Sequence, residues 1–311
     1  MKLIVFQERE NKDREKGRGV IRPGVMVKRG IIDIRNVIPS IDVVPEEQIM
    51  IHIIETFETL KEQIELISLT ANPIPIDQVL LRPPLPRPGK ILCCIGNYWE
   101  HSARDSRPLN MFLKNPDAVI GPEDTIVLPL LDDPYVFHHE AELAIVTKGP
   151  SKHIGLEAYR EVVFGYTCLI DVSARASGRR TWRDGSWMGK SFNTFAPIGP
   201  CIVTADEILD PNDLRVRFWD NGELRHDYNT NDMEHKVPEL IEFATSIMTL
   251  NDGDIISCGT NHEGLGPLQD GDLAEIEIEN IGKLSVSVSD PLKMKWPRGV
   301  YLGPDSTARS T

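Results

Sequence analysis

The sequence predicts an α+β fold in which strands dominate. From residue 91 onward the apolar runs are short, alternating, and bounded by Gly, Pro, Asn and Asp. Only two stretches of the whole chain show clear helical periodicity. A proline-dense segment separates a small N-terminal part from a long strand-rich one.

The N-terminal part, residues 1–71, opens on KLIVF and continues through GVMVKRGIIDIR, both of strand character. A helical segment follows from Pro45 to about Ser68, with Ile49, Ile53, Ile54, Phe57 and Leu60 near a 3.6-residue spacing. These elements predict a small α/β domain. Residues 72–90, NPIPIDQVLLRPPLPRPGK, hold too many prolines for a helix or a central strand and are read as an extended linker.

Residues 91–290 then run through KILCCIG, TIVLPLL, FHHEAELAIVTKG, VVFGYTCLIDVSA, PIGPCIVTA and LRVRFWDNGELR to GDIISCGT and DLAEIEIENIGKLSVSV. WDNGEL marks a hairpin, with Asn-Gly between alternating residues. A second helix is expected from Lys236 to Met248, with Val237, Leu240, Ile241, Ala244 and Ile247 on one face. NDGDIISC and QDGDLAEIEIE use the same turn-then-strand device. The tail, residues 291–311, is expected to be irregular.

With 34 basic against 47 acidic residues the net charge is −13, which argues against nucleic acid or an anionic membrane as partner. An anionic substrate would need local cations or a metal. No apolar run approaches the roughly 18 residues of a membrane span, and MKLIVFQERE is too soon charged for a signal peptide. The five cysteines, Cys93, Cys94, Cys168, Cys201 and Cys258, lack framework spacing and read as buried, reduced thiols of a cytoplasmic protein. No G-x-G-x-x-G or P-loop follows a strand, so a nucleotide cofactor is unsupported.

The stretch FHHEAELAIV, residues 137–146, places Glu140 and Glu142 on one face of a strand, with α-carbons roughly 7 Å apart. Unpaired burial of both would cost several kcal/mol. Two arrangements meet that demand: a strand edge facing water, or a cation between the carboxylates. A second apolar run, VVFGYTCLIDVSA, ends in another acid, Asp171. Three carboxylates without cysteine would suit an oxygen-loving Mg²⁺ or Mn²⁺.

With these residues the chain resembles the fumarylacetoacetate hydrolase family over nearly all of residues 90–288. The blocks NYWEH, FLKNPDAVIGP, HHEAELAIV, DVSAR, GKSFNTFAPIGP, NTNDMEHKVPELIEFATSIMTLNDGDIISCGT and GLGPLQDGDLAEIEIENIGKL occur in the family's order. The resemblance implies a rolled, mixed β-sheet catalytic domain behind a small N-terminal domain, in a homodimer or higher homo-oligomer. It implies Glu140, Glu142 and Asp171 as ligands of Mg²⁺ or Mn²⁺, with Ca²⁺ as a structural substitute. It further implies His101 as the base that activates water, Lys190 as a substrate-binding cation, and Thr260 as a substrate contact. Lys114 is read equally well as a second basic contact or a surface lysine.

Where many relatives have an acid three residues after the histidine, this chain has Arg104. Asp105, four residues after His101, or Glu263, in GTNHEGLG, would then partner the histidine. The loop Asn261-His262-Glu263 and Asn193 also depart from the family pattern, and the loop offers a second acid–base pair. The reaction expected is C–C hydrolysis of a small, anionic acylpyruvate or diketo acid. Decarboxylation, tautomerisation or isomerisation, or hydration–dehydration of a 2-oxo or 2-keto-3-deoxy sugar acid is the alternative. A non-catalytic family member is the third reading.

Overall fold

A computed structural model describes residues 1–9, 20–131, 134–176 and 187–301. The N-terminal segment supplies strands β1 (Lys2–Glu8), β2 (Arg22–Val27) and β3 (Gly30–Asp33), helix α1 (Ile49–Thr70) and strand β4 (Val79–Arg82). There follow β5 (Ile91–Cys94), β6 (Met111–Lys114), β7 (Val119–Ile120), β8 (Thr125–Val127), β9 (Pro134–His138) and β10 (Ala141–Thr147). A single turn, α2 (Tyr159–Val162), leads into β11 (Val163–Ile170), β12 (Ser173–Ala176) and β13 (Ala196–Thr204). The chain closes with β14 (Arg215–Asp220), β15 (Glu223–Asn229), α3 (Val237–Ile247), β16 (Ile255–Ser257), β17 (Leu273–Ile278) and β18 (Gly282–Ser289).

The main sheet runs β3-β2-β1-β13-β11-β10-β16-β5-β6, with β4 beside β1 and β7 beside β13. A second sheet runs β15-β14-β17-β18-β8, and β9 pairs with β12. Most pairs are antiparallel, but β16–β5, β13–β7 and β18–β8 are parallel, so the architecture is α+β with mixed sheets. The two sheets meet where β13 faces β18, β11 faces β17 and β10 faces β14. Strands β10, β11 and β13 are buried along their whole length, covered on both faces, which explains their unbroken apolar runs.

Local chemistry explains the connections. The β14–β15 hairpin turns on Asn221 and Gly222, both with positive φ (52° and 79°), which matches the right-handed twist of the strands. In each of the paired turns an aspartate accepts from a backbone N–H three residues earlier: Asp254 from Asn251 at 2.8 Å and Asp272 from Gln269 at 2.7 Å. Helix α1 buries Ile49, Ile53, Ile54, Phe57 and Leu60, the face read from the sequence. Helix α3 buries Val237, Leu240, Ile241 and Ala244, whereas Ile247, expected on that face, is exposed at the last turn. The proline-dense stretch 72–90 is not extended throughout: it holds a 3₁₀ turn at Ile76–Gln78, and Val79–Arg82 pairs with the far half of β1. The first half of β1 pairs with β13, so N-terminal strands extend the main sheet.

Candidate active site

Strand β10 carries Glu142 into the middle of the main sheet, fully buried. Glu140 lies in the short break between β9 and β10, and Asp171 directly follows β11. The β10–β11 register sets Ala141 opposite Ile170, and the Asp171 amide donates to the Glu140 carbonyl at 2.8 Å. These contacts bring one oxygen from each of Glu140, Glu142 and Asp171 within 4.8 Å of one another. The three acids read from the sequence therefore form one buried cluster, and the water-facing strand edge is excluded by their burial.

Cations surround two of the three. Lys190 Nζ lies 2.8 Å from Glu140 Oε2 and 2.7 Å from Asp171 Oδ2, and it also donates to Ser173 Oγ at 2.7 Å. Arg175 donates to Glu140 Oε1 at 2.5 Å. Lys114, which the sequence left open as a surface lysine, is fully buried and donates to Asp171 Oδ1 at 2.6 Å. Burial alone would raise the Glu140 carboxyl, but Lys190 and Arg175 hold it well below the usual carboxylate range. Burial opposes the Lys190 charge too, yet Asp171 and Glu140 keep its pKa raised.

Glu142 is different. Its Oε2 accepts from Ser257 Oγ and from the Gly259 amide, the latter at 3.0 Å. Its buried Oε1 has no hydrogen-bond partner among the described residues. Burial, with Asp171 and Glu140 adding their charge, pushes this carboxyl up to about 8. An orphaned carboxylate oxygen in a buried cluster with two further carboxylates is what a divalent cation satisfies, and the all-oxygen donor set fits Mg²⁺ or Mn²⁺.

Two loops lie beside this cluster. Residues 101–110 form turns and coil with no helix, so the four-residue spacing does not place Asp105 beside His101. Asp105 is exposed. His101 is 87% exposed, with Nε2 3.9 Å from Glu263 Oε2. Its neighbour Glu100 instead reaches His262, accepting from Nδ1 at 2.5 Å and from the backbone amide at 3.0 Å. Arg104, standing where an acid was expected, donates to buried Glu234 at 3.0 Å, and Arg107 Nε does so at 2.7 Å. Both guanidiniums also donate to the Tyr98 carbonyl, so Glu234 pins the loop. Thr260 is buried, and its hydroxyl donates to the Asn261 carbonyl at 3.3 Å.

His138, His139, His226 and the cysteines belong to packing. His138 Nε2 donates to the Tyr301 carbonyl at 2.8 Å; burial, then the Arg175 charge, lowers its pKa to about 3. His139 stacks on Phe218 with centroids 4.1 Å apart and meets His226 at 3.2 Å. All five cysteines are buried and free. Burial pushes the Cys201 thiol up to about 12 and raises the other four well above the ordinary thiol value, away from reactivity.

Residues 90–289 match the family model of the fumarylacetoacetate hydrolase C-terminal domain. The chain belongs to the fumarylacetoacetate hydrolase family. Two of its relatives are named as enzymes, a hydrolase and a tautomerase. Maleylpyruvate hydrolase from Sphingobium sp. SYK-6, solved in complex with manganese(II) and pyruvate, is 36% identical with a TM-score of 0.80, over 93% of this chain and 99% of that one. A mitochondrial oxaloacetate tautomerase from Bos taurus is 33% identical over 270 residues, 81% of this chain and 82% of its own. An uncharacterised protein of Pyrococcus abyssi is 43% identical over 208 residues, 65% of this chain and 91% of its own.

Within this fumarylacetoacetate hydrolase fold, several contacts escaped the sequence. Ser173 and Arg175 follow Asp171 at two-residue steps in DVSAR, and strand alternation alone would have put them beside it. Ser257 ends β16 and Gly259 lies two residues beyond it, and nothing local connects either to Glu142. Glu234 and Arg107 likewise signal nothing alone, because their pairing spans 127 residues.

Proposed function

We propose that this protein is a divalent-metal-dependent hydrolase that cleaves a C–C bond in a small acylpyruvate or related diketo acid. The observation carrying the reading is the buried Glu140–Glu142–Asp171 cluster with its orphaned Glu142 oxygen. Likeness to a maleylpyruvate hydrolase solved with manganese and pyruvate supports it. Glu140, Glu142 and Asp171 would hold Mg²⁺ or Mn²⁺, which when bound supplies Lewis acidity toward the oxo-carboxylate oxygens.

The chain's own residues set the conditions for that chemistry. Lys190 and Arg175 keep Glu140 ionised despite burial, and Lys190 and Lys114 both pair with Asp171. Lys190 is the cation placed to share its charge between those carboxylates and an incoming substrate oxygen. The crossed loop residues Glu100, His101, His262 and Glu263 provide the acid–base groups for activating water. Thr260 lies between that loop and the strand end, where its hydroxyl can turn to a substrate carboxylate.

The second reading is tautomerisation of a 2-oxo acid, favoured by the likeness to oxaloacetate tautomerase. It needs the same enolate stabilisation but no water nucleophile. Incubating Mn²⁺-loaded protein separately with an acylpyruvate and with enol-oxaloacetate, followed by NMR product analysis, separates the two. Release of pyruvate and a carboxylic acid is the expected result. Accelerated ketonisation without any cleavage would replace the hydrolase reading with the second.

A further inference from the structure

The two loops beside the carboxylate cluster carry complementary pairs in crossed order, Glu100-His101 in one and His262-Glu263 in the other. The two pairs are not equivalent. Glu100 accepts from both the amide and the Nδ1 of His262, at 3.0 and 2.5 Å, with side chains only 21% and 34% exposed. His101 and Glu263 stand 3.9 Å apart with side chains 87% and 52% exposed. Water screens the outer pair, whereas the inner one is fixed by two hydrogen bonds.

The inner pair is also built from the backbone outward. Glu100 and His101 both adopt left-handed φ, 53° and 55°, a conformation unfavourable for non-glycine residues that the surrounding contacts must hold. The Glu100 amide is held by Asp232 Oδ2 at 3.2 Å, and the Trp99 amide by the Asp232 carbonyl at 3.1 Å. On the other side the His262 carbonyl accepts from the Leu265 amide at 3.2 Å. Burial would raise the Glu100 carboxyl, but the His262 contacts hold it below the ordinary value. His262 lies close enough to the metal-ligand cluster for its charge to stabilise the Glu140 carboxylate and to disfavour protonation of His138 and His226.

We propose that His262 is the general base of this site and Glu100 its positioning residue. The inference rests on the hydrolase reading above for the identity of the reaction. Glu100 takes the Nδ1 proton donor, which leaves the Nε2 lone pair free to accept a proton. In hydrolysis that proton comes from water, and the resulting hydroxide adds to the acyl carbonyl carbon. The bond from the acyl carbon to the methylene breaks, and its electron pair stays with the methylene carbon as the enolate of pyruvate. The imidazolium returns the proton to that carbon, and the new carboxylic acid loses its own to solvent. One water is consumed, and the base ends as it began.

The test uses the full-length, Mn²⁺-loaded protein and two rates. One is hydrolysis of acetylpyruvate; the other is exchange of the pyruvate methyl protons with D₂O, which needs the base but no cleavage. His262→Asn, with His262→Gln as a second variant, is expected to lower both rates by about 10²- to 10⁴-fold with Mn²⁺ binding retained. Glu100→Gln is expected to move the acid limb of the kcat/KM profile to lower pH, because the imidazole loses its anion. Glu100→Asp is expected to restore part of that shift. The other groups facing His262 are Glu140, His138 and His226, with Arg107 beside Glu100, and all are left in place.

Exchange at the wild-type rate in both His262 variants would overturn the assignment. So would a greater loss of exchange in His101→Ala than in His262→Asn. A wild-type protein that exchanges the methyl protons without cleaving acetylpyruvate overturns the hydrolase reading, and the His262 variants then decide the base from exchange alone. A wild-type protein that does neither overturns both.

Discussion

Glu142→Gln is expected to raise stability without metal and to forfeit most of the stabilisation that metal gives. In the metal-free protein the Glu142 carboxyl, ordinarily near 4.5, is pushed up to about 8 by burial, with Asp171 and Glu140 adding to it. The folded state therefore holds a proton that the unfolded state has released between those two values. Stability linked to this group is complete below about pH 4.5 and is lost as pH rises through about 8. At pH 7 the gap corresponds to about 3 kcal/mol, from 1.36 kcal/mol for each of the roughly 2.5 pH units above 4.5. Glutamine keeps the shape. Its carbonyl oxygen can accept from Ser257 and Gly259, and its amide can donate toward Glu140 and Asp171 in place of the orphaned oxygen.

Thermal melts in EDTA at pH 7 are therefore expected to show the variant above the wild type by on the order of 5–10 °C, narrowing toward pH 5. Mn²⁺ at a hundred times its dissociation constant should raise the wild type by about 2.7 kcal/mol and the variant by much less. A variant that melts below the wild type in EDTA, or gains as much from Mn²⁺, would refute the electrostatic account of the cluster.

Two further perturbations probe the scaffold. Glu234→Gln removes the anion shared by Arg104 and Arg107, and amide exchange over residues 98–107 should speed up by roughly 10- to 100-fold, equivalent to ~1.5–3 kcal/mol. Unchanged protection would mean the loop is held by something else. Gly222→Ala meets no atom within 4 Å, so its only cost is the positive φ of 79°. A loss of about 1 kcal/mol is expected in urea melts, and a neutral result would contradict the turn geometry.

The parts of this structure visible in the sequence are those with local causes. Alternation in FHHEAELAIV put Glu140 and Glu142 together, and the Asn-Gly turn and the α1 core face followed from short-range pattern. What the sequence hid depends on pairs far apart in the chain. Lys114 looks like any lysine at a strand end until β6 and the 187–190 turn close over Asp171. Helical spacing for Asp105 failed because Arg104 and Arg107 are drawn to Glu234, which extends the loop. The Glu100–His262 contact joins residues 162 positions apart, and adjacency of Glu100 to His101 gave no hint of it.

Residues 290–301 have no regular secondary structure, yet they touch both halves of the site. The Tyr301 carbonyl accepts a hydrogen bond from His138, two residues before Glu140, and the Tyr301 amide donates to the Leu265 carbonyl, three residues after His262. Trp296 stands edge-on to Phe137 at 5.8 Å, while Arg298 reaches Asp272 at 2.7 Å and Asp220 at 3.0 Å. The carboxylate strand and the histidine loop are thus spliced by one short length of coil. A protease cut or a bulky fusion in that coil would reach the chemistry from the far end of the chain, without altering any residue that performs it.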